Sequence, residues 1–350
     1  MVSSADAGSA AADALPPEGA ASGRDSGAYP GPGRPAAATR YRGPPGDVVL
    51  LPPARVIGDR YQLGELIGQG GLSSVYKGQD LITSRPVVVK LLRPGLSDDA
   101  VAMARFRREA DIAKRLDHPQ IARTLDVLEG PDNPALIMEW LNGPSLEAMV
   151  LDEGPIPSVQ VAAMGQILAS ALEYIAGQHV VRLDLKPSNI VMADRGPVLT
   201  DLGIAVRIGT GVTQLTAAGQ FIGTPAFMAP EVIEGRGPDP RADIYALGLV
   251  LYYCLTGKNP WAHLTSPVSV MYAIVSEQVD LSGLPVSAEF RAVLGQAIAR
   301  HTGDRFPTAA AFREALLRTP ELRSIAPETG PGDLAAPSPP SAPADGDPVR

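Results

Sequence analysis

Cysteine is almost missing from this chain: 350 residues contain one, Cys254. A single thiol excludes an internal disulfide framework and any multi-cysteine zinc site. Its place in the apolar run Leu249 to Leu255 marks it as a core filler. Excess positive charge is missing too, with a formal net charge of −8 and a pI near 5.1. That balance argues against bulk binding of nucleic acid or an anionic membrane, because phosphate contacts need clustered cations. No run of 18 apolar residues occurs, so no membrane span is expected. The first 30 residues lack a basic start followed by an apolar block, so no secretory signal is expected. A reducing, cytoplasmic setting fits these absences. Lysine is scarce, 5 against 25 arginines, which together with abundant Ala, Gly and Pro fits a GC-rich bacterial genome.

What is present suffices for a sizeable core: 45% hydrophobic and 19% charged residues. Glycine and proline gather at the ends. Residues 1–50 hold 12 Ala, 8 Gly, 7 Pro and 5 Ser, and residues 319–350 hold 8 Pro. Such segments bury too little apolar surface to offset their backbone entropy. Disordered tails are therefore expected over 1–59 and 319–350, around an ordered domain over 60–318. Inside it the pattern changes once. Short β-type runs cover Tyr61–Ile67, Val75–Gly78, Val87–Leu92, Thr124–Leu128 and Ala135–Trp140. One helical stretch interrupts them, Asp98 to Leu116, with Val101, Phe106, Ala110 and Ala113 as its apolar positions. After Ser145 the chain turns helical, over Gln160–Ile175 (stripe Ala163, Ile167, Ala171, Tyr174), Asp243–Leu255, Ala288–Ala299 and Thr308–Leu317. The expectation is an α+β protein of two lobes, a small β-rich N-lobe (60–141) with one main helix and a larger helical C-lobe (142–318), with a cleft between them.

Four motifs carry chemistry. Gly68, Gly70 and Gly71 lie in a G-x-G-x-x-S run before Val75. Glycines let backbone amides approach phosphate oxygens. A dinucleotide-binding reading needs a helix next and a later acid. Here a strand follows, and Lys90 stands about twenty residues on, so that reading fails. Lys90 ends the apolar run Val87-Val88-Val89, an awkward place for a charge. It either snorkels off a sheet edge or is held by an acid. Glu109, on the helix downstream, either pairs with it or is an ordinary surface residue. Third, Asp184, Lys186 and Asn189 are spaced to converge from one tight loop. There Asp184 can accept a hydroxyl proton, Lys186 can neutralise a transferring phosphoryl, and Asn189 can ligate a metal. Fourth, Asp201 precedes a glycine turn twelve residues after Asn189, suited to Mg²⁺ bridging two phosphates.

With these motifs in this order, residues 61–318 resemble the eukaryotic-like (Hanks-type) serine/threonine protein kinases of bacteria. The resemblance implies the bilobal kinase fold and transfer of the γ-phosphoryl of ATP, with Mg²⁺ or Mn²⁺, to serine or threonine of protein substrates. It implies a nucleotide site of Gly68, Gly70, Gly71, Val75, Val88, Lys90, Glu109, Met138, Glu139, Leu141 and Val191. Met138 would be the gatekeeper, and the backbone of Glu139 and Leu141 would meet the purine. Asn189 and Asp201 would hold metal; Asp184, Lys186 and Lys90 would be catalytic. Gly223 to Glu231 resembles the end of the activation segment, with Glu231 pairing Arg305, and Asp243 would brace the catalytic loop from a buried helix. A homodimer through the N-lobe is also implied.

The sequence departs from that family at one place above all. Where the family has His-Arg-Asp, this chain has Arg182-Leu183-Asp184. Leu183 cannot receive a phosphothreonine. Thr213 and Thr216 are the candidate autophosphorylation sites, with Thr210 nearby and Arg207 as a substitute partner. Arg182 is expected either to snorkel or to pair with an acid such as Asp243. Leu202 stands for the usual phenylalanine, and Val88 for the usual alanine narrows the adenine roof. The same departure, with the two long tails, motivates the alternative, a pseudokinase that binds ATP or serves as a scaffold with little turnover.

Overall fold

The computed structural model describes residues 55–130, 134–201, 206–207 (backbone only) and 225–323. The tails expected over most of 1–59 and 319–350, and the candidates Leu202, Thr210, Thr213 and Thr216, lie outside these residues, as does the side chain of Arg207.

The first lobe is a six-stranded antiparallel sheet. Its strands are β1 (Val56–Ile57), β2 (Tyr61–Gln69), β3 (Ser73–Asp80) and β4 (Pro86–Leu92), followed after α1 (Ala100–Ala113) by β5 (Thr124–Leu128) and β6 (Ala135–Glu139), in the order β1-β2-β3-β4-β6-β5. Alternation along β4 decides what each face does. Val87, Val89 and Leu91 join Ile57, Tyr61, Leu63, Ala135 and Ile137 in a closed core. Val88 and Lys90 point the other way, opposite Met138 and Leu136 in register. Helix α1 starts where Asp99 caps it, its carboxylate accepting from the amides of Val101 and Ala102 at 2.8 and 3.2 Å. The buried positions are Ala102, Met103, Phe106, Ala110, Ile112 and Ala113. Val101, expected in that stripe, is 62% exposed, because the 3.6-residue period puts 102, 103 and 106 on the inner face instead.

The second lobe runs through α2 (Leu146–Glu153), α3 (Ser158–Gly177), β7 (Val180–Val181), β8 (Ile190–Ala193), β9 (Gly196–Leu199), β10 (Val206–Arg207), α4 (Pro230–Ile233), α5 (Arg241–Thr256), α6 (Pro267–Ser276), α7 (Ala288–Ala297), α8 (Ala309–Leu317) and α9 (Pro320–Arg323). By length and composition α3 is apolar enough to cross a membrane. In this fold it is the central helix of the lobe, packed on α5 and α8. Its deepest stripe is Val161, Met164, Leu168, Ala171, Leu172 and Ile175; of the expected stripe Ala163, Ile167 and Tyr174 are only half-buried. Gly165 permits the close approach of α5, since a Cβ there would sit 2.8 Å from Leu251 Cδ1.

The expected domain edges shift outward at both ends. Val56 and Ile57 pair with Gln62 and Tyr61, and Ile57 is buried in the first lobe. Beyond residue 318, Glu321 accepts from the amide and the hydroxyl of Ser287, each at 2.8 Å, and is buried. Composition hides both contacts, because one apolar pair and one acid suffice to dock them.

A buried ion pair ties the segment before α5 to the loop before α8. Arg305 donates to both carboxylate oxygens of Glu231, at 2.6 and 2.7 Å, and to the carbonyls of Ala299, Arg241 and Arg300. The Tyr245 ring lies 4.7 Å beneath its guanidinium. Removing one partner strands the other charge in the interior. Arg305→Met is therefore expected to cost about 3–5 kcal/mol in urea unfolding. A variant within 1 kcal/mol of wild type, roughly the worth of a surface pair, would show the pair to be solvated.

Candidate active site

Five elements bring the predicted residues together. Lys90, on the inner face of β4, donates to Glu109 of α1 at 2.5 Å and to Asp201 just beyond β9. Burial works against the Lys90 ammonium, but the Asp201 and Glu109 carboxylates outweigh it and hold its pKa above the usual value. The Glu109 carboxyl is pushed up by burial, with Lys90 opposing. Lys90 is thus a held cation, and the snorkelling alternative fails.

The loop between β7 and β8 is assembled by hydrogen bonds. Asn189 donates its Nδ2 to the carbonyl of Asp184 at 3.0 Å and to its carboxylate at 2.9 Å. That leaves the amide oxygen of Asn189 as the atom able to meet a cation. Lys186 lies 3.2 Å from the same Asp184 carboxylate. The Asn189 carbonyl accepts from the Thr200 amide at 2.9 Å, which ties this loop to Asp201. Leu183 (φ 61°) and Asp201 (φ 51°) are left-handed, a conformation costly for residues with a Cβ. Underneath, the buried Asp243 of α5 accepts the amides of Arg182 and Leu183 at 2.8 and 2.9 Å. This is the brace expected of it. Burial pushes the Asp243 carboxyl up to about 6 against those two bonds.

Arg182 does neither of the two things expected. It is 0% exposed, so it does not snorkel. Its backbone, not its guanidinium, meets Asp243, while its Nη2 donates to the Thr200 carbonyl. Burial lowers the guanidinium's pKa.

In the connection between lobes Met138 and Glu139 are half-buried and Leu141 is buried. The Glu139 amide is already given to the Arg123 carbonyl at 3.0 Å, so that group is not the one a purine would take. Its carboxylate is held by Arg195 at 2.5 Å, and its pKa lies low because this pairing and the Arg123 amide outweigh burial. Gly143 follows with φ 142°, and a Cβ there would stand 2.0 Å from the Met192 carbonyl. Arg195 and Gly143 escaped the sequence reading; the long-range partners that explain them are 56 and 49 positions away. Gly68 and Gly70 differ, since an added Cβ would meet nothing nearer than 3.7 Å. The protein's own packing does not demand glycine there. The pairing of Gly68 with Val75, and of Val75 with Lys90, puts this hairpin beside the lysine. Val191 pairs with Val198 on the C-lobe side.

The protein kinase domain model matches residues 61–312. This chain belongs to the protein kinase family. Among curated relatives, the serine/threonine-protein kinase PknB of Mycobacterium leprae is 36% identical over 272 residues, 75% of this chain and 43% of that protein. PknB of Mycobacterium tuberculosis is 37% identical over 273 residues, again 75% and 43%. PknB of Mycolicibacterium smegmatis is 36% identical over 273 residues, 76% and 44%. The chain spans about two fifths of the length of these relatives. Within that family the chain keeps Lys90 bonded to Glu109 and Asp201, and Asn189 bonded to Asp184; its departures are Arg182 and Leu183 above all, with Val88 and Leu202 beside them.

The raised Asp243 carboxyl has a testable sign. The folded state takes up a proton between the ordinary value of 3.8 and about 6. That contribution is fully present below 3.8 and lost as pH rises through 6. Relative to Asp243→Asn, wild type should therefore gain roughly 1 kcal/mol on going from pH 7 to pH 5. Urea unfolding of both proteins across that range measures the gap, and a constant gap would refute the assignment.

Proposed function

We propose that this chain transfers the γ-phosphoryl of ATP to serine and threonine hydroxyls of protein substrates. The observation that carries the reading is the single bonded network from Glu109 through Lys90 to Asp201, and through Thr200 and Asn189 to Asp184. The residues present fit Mg²⁺. Among the described residues no three His, Cys, Asp or Glu side chains cluster as a metal cage. One carboxylate, Asp201, and one amide oxygen, Asn189, suit a hard cation that keeps waters and phosphate oxygens as its other ligands. When bound, Mg²⁺ supplies positive charge that offsets the charge on the phosphates.

The chain's own residues do the rest. Gly68, Gly70 and Gly71 leave room for backbone amides to approach phosphates. Val75, Val88, Met138, Leu141 and Val191 offer the apolar surface for the base, with Glu109 keeping Lys90 charged and aimed at the phosphates. Asp184, held by Asn189 and Lys186, orients the attacking hydroxyl and takes its proton. Lys186 then stabilises charge on the transferring group. Catalysis of this kind is positioning and electrostatics, so removal of one such group typically costs 10²-fold or more. The scaffold alternative rests on Arg182-Leu183 and on the two long tails, and no contact among the described residues of the site favours it over turnover. A cytoplasmic setting, and pairing through the N-lobe, belong to this proposal as well.

The test is transfer from γ-labelled ATP to the protein itself and to a basic protein, with Mg²⁺ or Mn²⁺. Asp184→Asn is expected to lose at least about 10²-fold in turnover while ATP still raises the melting temperature. Lys90→Ala is expected to lose turnover and weaken the ATP response. An Asp184→Asn variant turning over at the wild-type rate would sink the assignment.

A further inference from the structure

One fully buried cation among the described residues has no part in the scheme above. Arg182 is the largest fully buried side chain among the described residues. Its Nε and Nη1 have no acceptor among the described residues. Burying a guanidinium without full pairing costs more than burying a hydrophobic side chain of similar volume. As a stabilising element Arg182 therefore makes little sense, and its use lies in what it touches.

It touches one peptide group. Thr200 links the two candidate metal ligands: its amide donates to the carbonyl of Asn189, and its carbonyl accepts from Arg182 Nη2. The residue immediately after it, Asp201, is in the left-handed region at φ 51°. Such a conformation persists only where its surroundings hold it. The anchor of the clamp is itself fixed, because the Arg182 amide is held by the Asp243 carboxylate at 2.8 Å. The guanidinium also sits in the field of Asp184, Asp201, Asp243 and Glu109. Lys90, the other buried cation here, bonds Glu109 and Asp201 from the N-lobe side.

We propose that Arg182 is a positioning residue for the metal-binding turn. From inside the C-lobe it holds the Thr200 carbonyl and so sets where the Asp201 carboxylate stands before metal and nucleotide arrive. This rests on the kinase reading and deepens it. Position 183 carries leucine and the arginine stands at 182, facing inward, so the turn is held by an internal cation.

Position and charge predict opposite signs, which makes the idea testable. Loss of a nearby cation by itself would tighten Mg²⁺ binding, whereas loss of the clamp would weaken it. The experiment titrates Mg²⁺ into wild type, Arg182→Met and Arg182→Lys at saturating ATP. It reads the melting temperature and, in parallel, the ATP response in EDTA. Partners that orient metal ligands are typically worth 10–100-fold in metal affinity. Arg182→Met is therefore expected to raise half-saturating Mg²⁺ by about tenfold, with its EDTA response unchanged. Arg182→Lys, which keeps a donor of nearly the same reach, is expected to recover most of the loss. If the methionine variant does not fold, Arg182→Gln replaces it with the same expectation, since its amide is two bonds too short for Thr200. Unchanged or tighter Mg²⁺ binding in the variant that lacks the donor would overturn the proposal while leaving the kinase reading intact. A wild type with no Mg²⁺-dependent ATP response would overturn both.

Discussion

The candidate active site hangs on one buried carboxylate. Asp243, projecting from α5 deep in the C-lobe, accepts two successive backbone amides, those of Arg182 and Leu183. Without those acceptors Leu183 would have no reason to remain left-handed, and the residues after it would not be turned toward the cleft. A buried carboxylate is expensive, as its raised pKa shows. Two amide donors offset part of that expense, and the return is a loop whose shape is set by the rigid helix core.

From that loop the constraint passes outward through hydrogen bonds, without help from surface charge. Asn189 ties Asp184 to Thr200, which follows β9 and precedes Asp201, and Asp201 reaches across to Lys90 and hence to Glu109 on α1. The two lobes are thus linked by an ion network around the buried Lys90, at the point where chemistry is proposed. In a low-dielectric setting such a network is strong when complete and costly when a member is lost. The chain has few lysines to place, five in all. Of five, Lys90 and Lys186 are in this site.

The sequence disclosed some features and withheld others for identifiable reasons. The six main β and α stretches of the first lobe were legible because alternation and the 3.6-residue period are local. The stripe on α3 was misplaced because that helix is apolar nearly all round, so the pattern does not say which side faces α5 and α8. The docking of Ile57 and Glu321 was missed because tail-like composition surrounds them. Arg182 could be narrowed to two options, and neither held, since the partner of its side chain is a backbone carbonyl that sequence does not display.

By itself, then, the sequence determined the order of chemical groups along the chain: glycine run, lysine, helix acid, the Asp184–Asn189 loop and the turn at Asp201. Those follow from residue type and spacing, which are properties of the chain. Only the tertiary structure decided which charges are buried, which acceptors hold strained backbone, and that Arg182 faces inward to Thr200. Burial and the dielectric around a charge are set by elements far apart in sequence packing together. That is why Asp243, some sixty positions from the loop it holds, gains its meaning only in the fold.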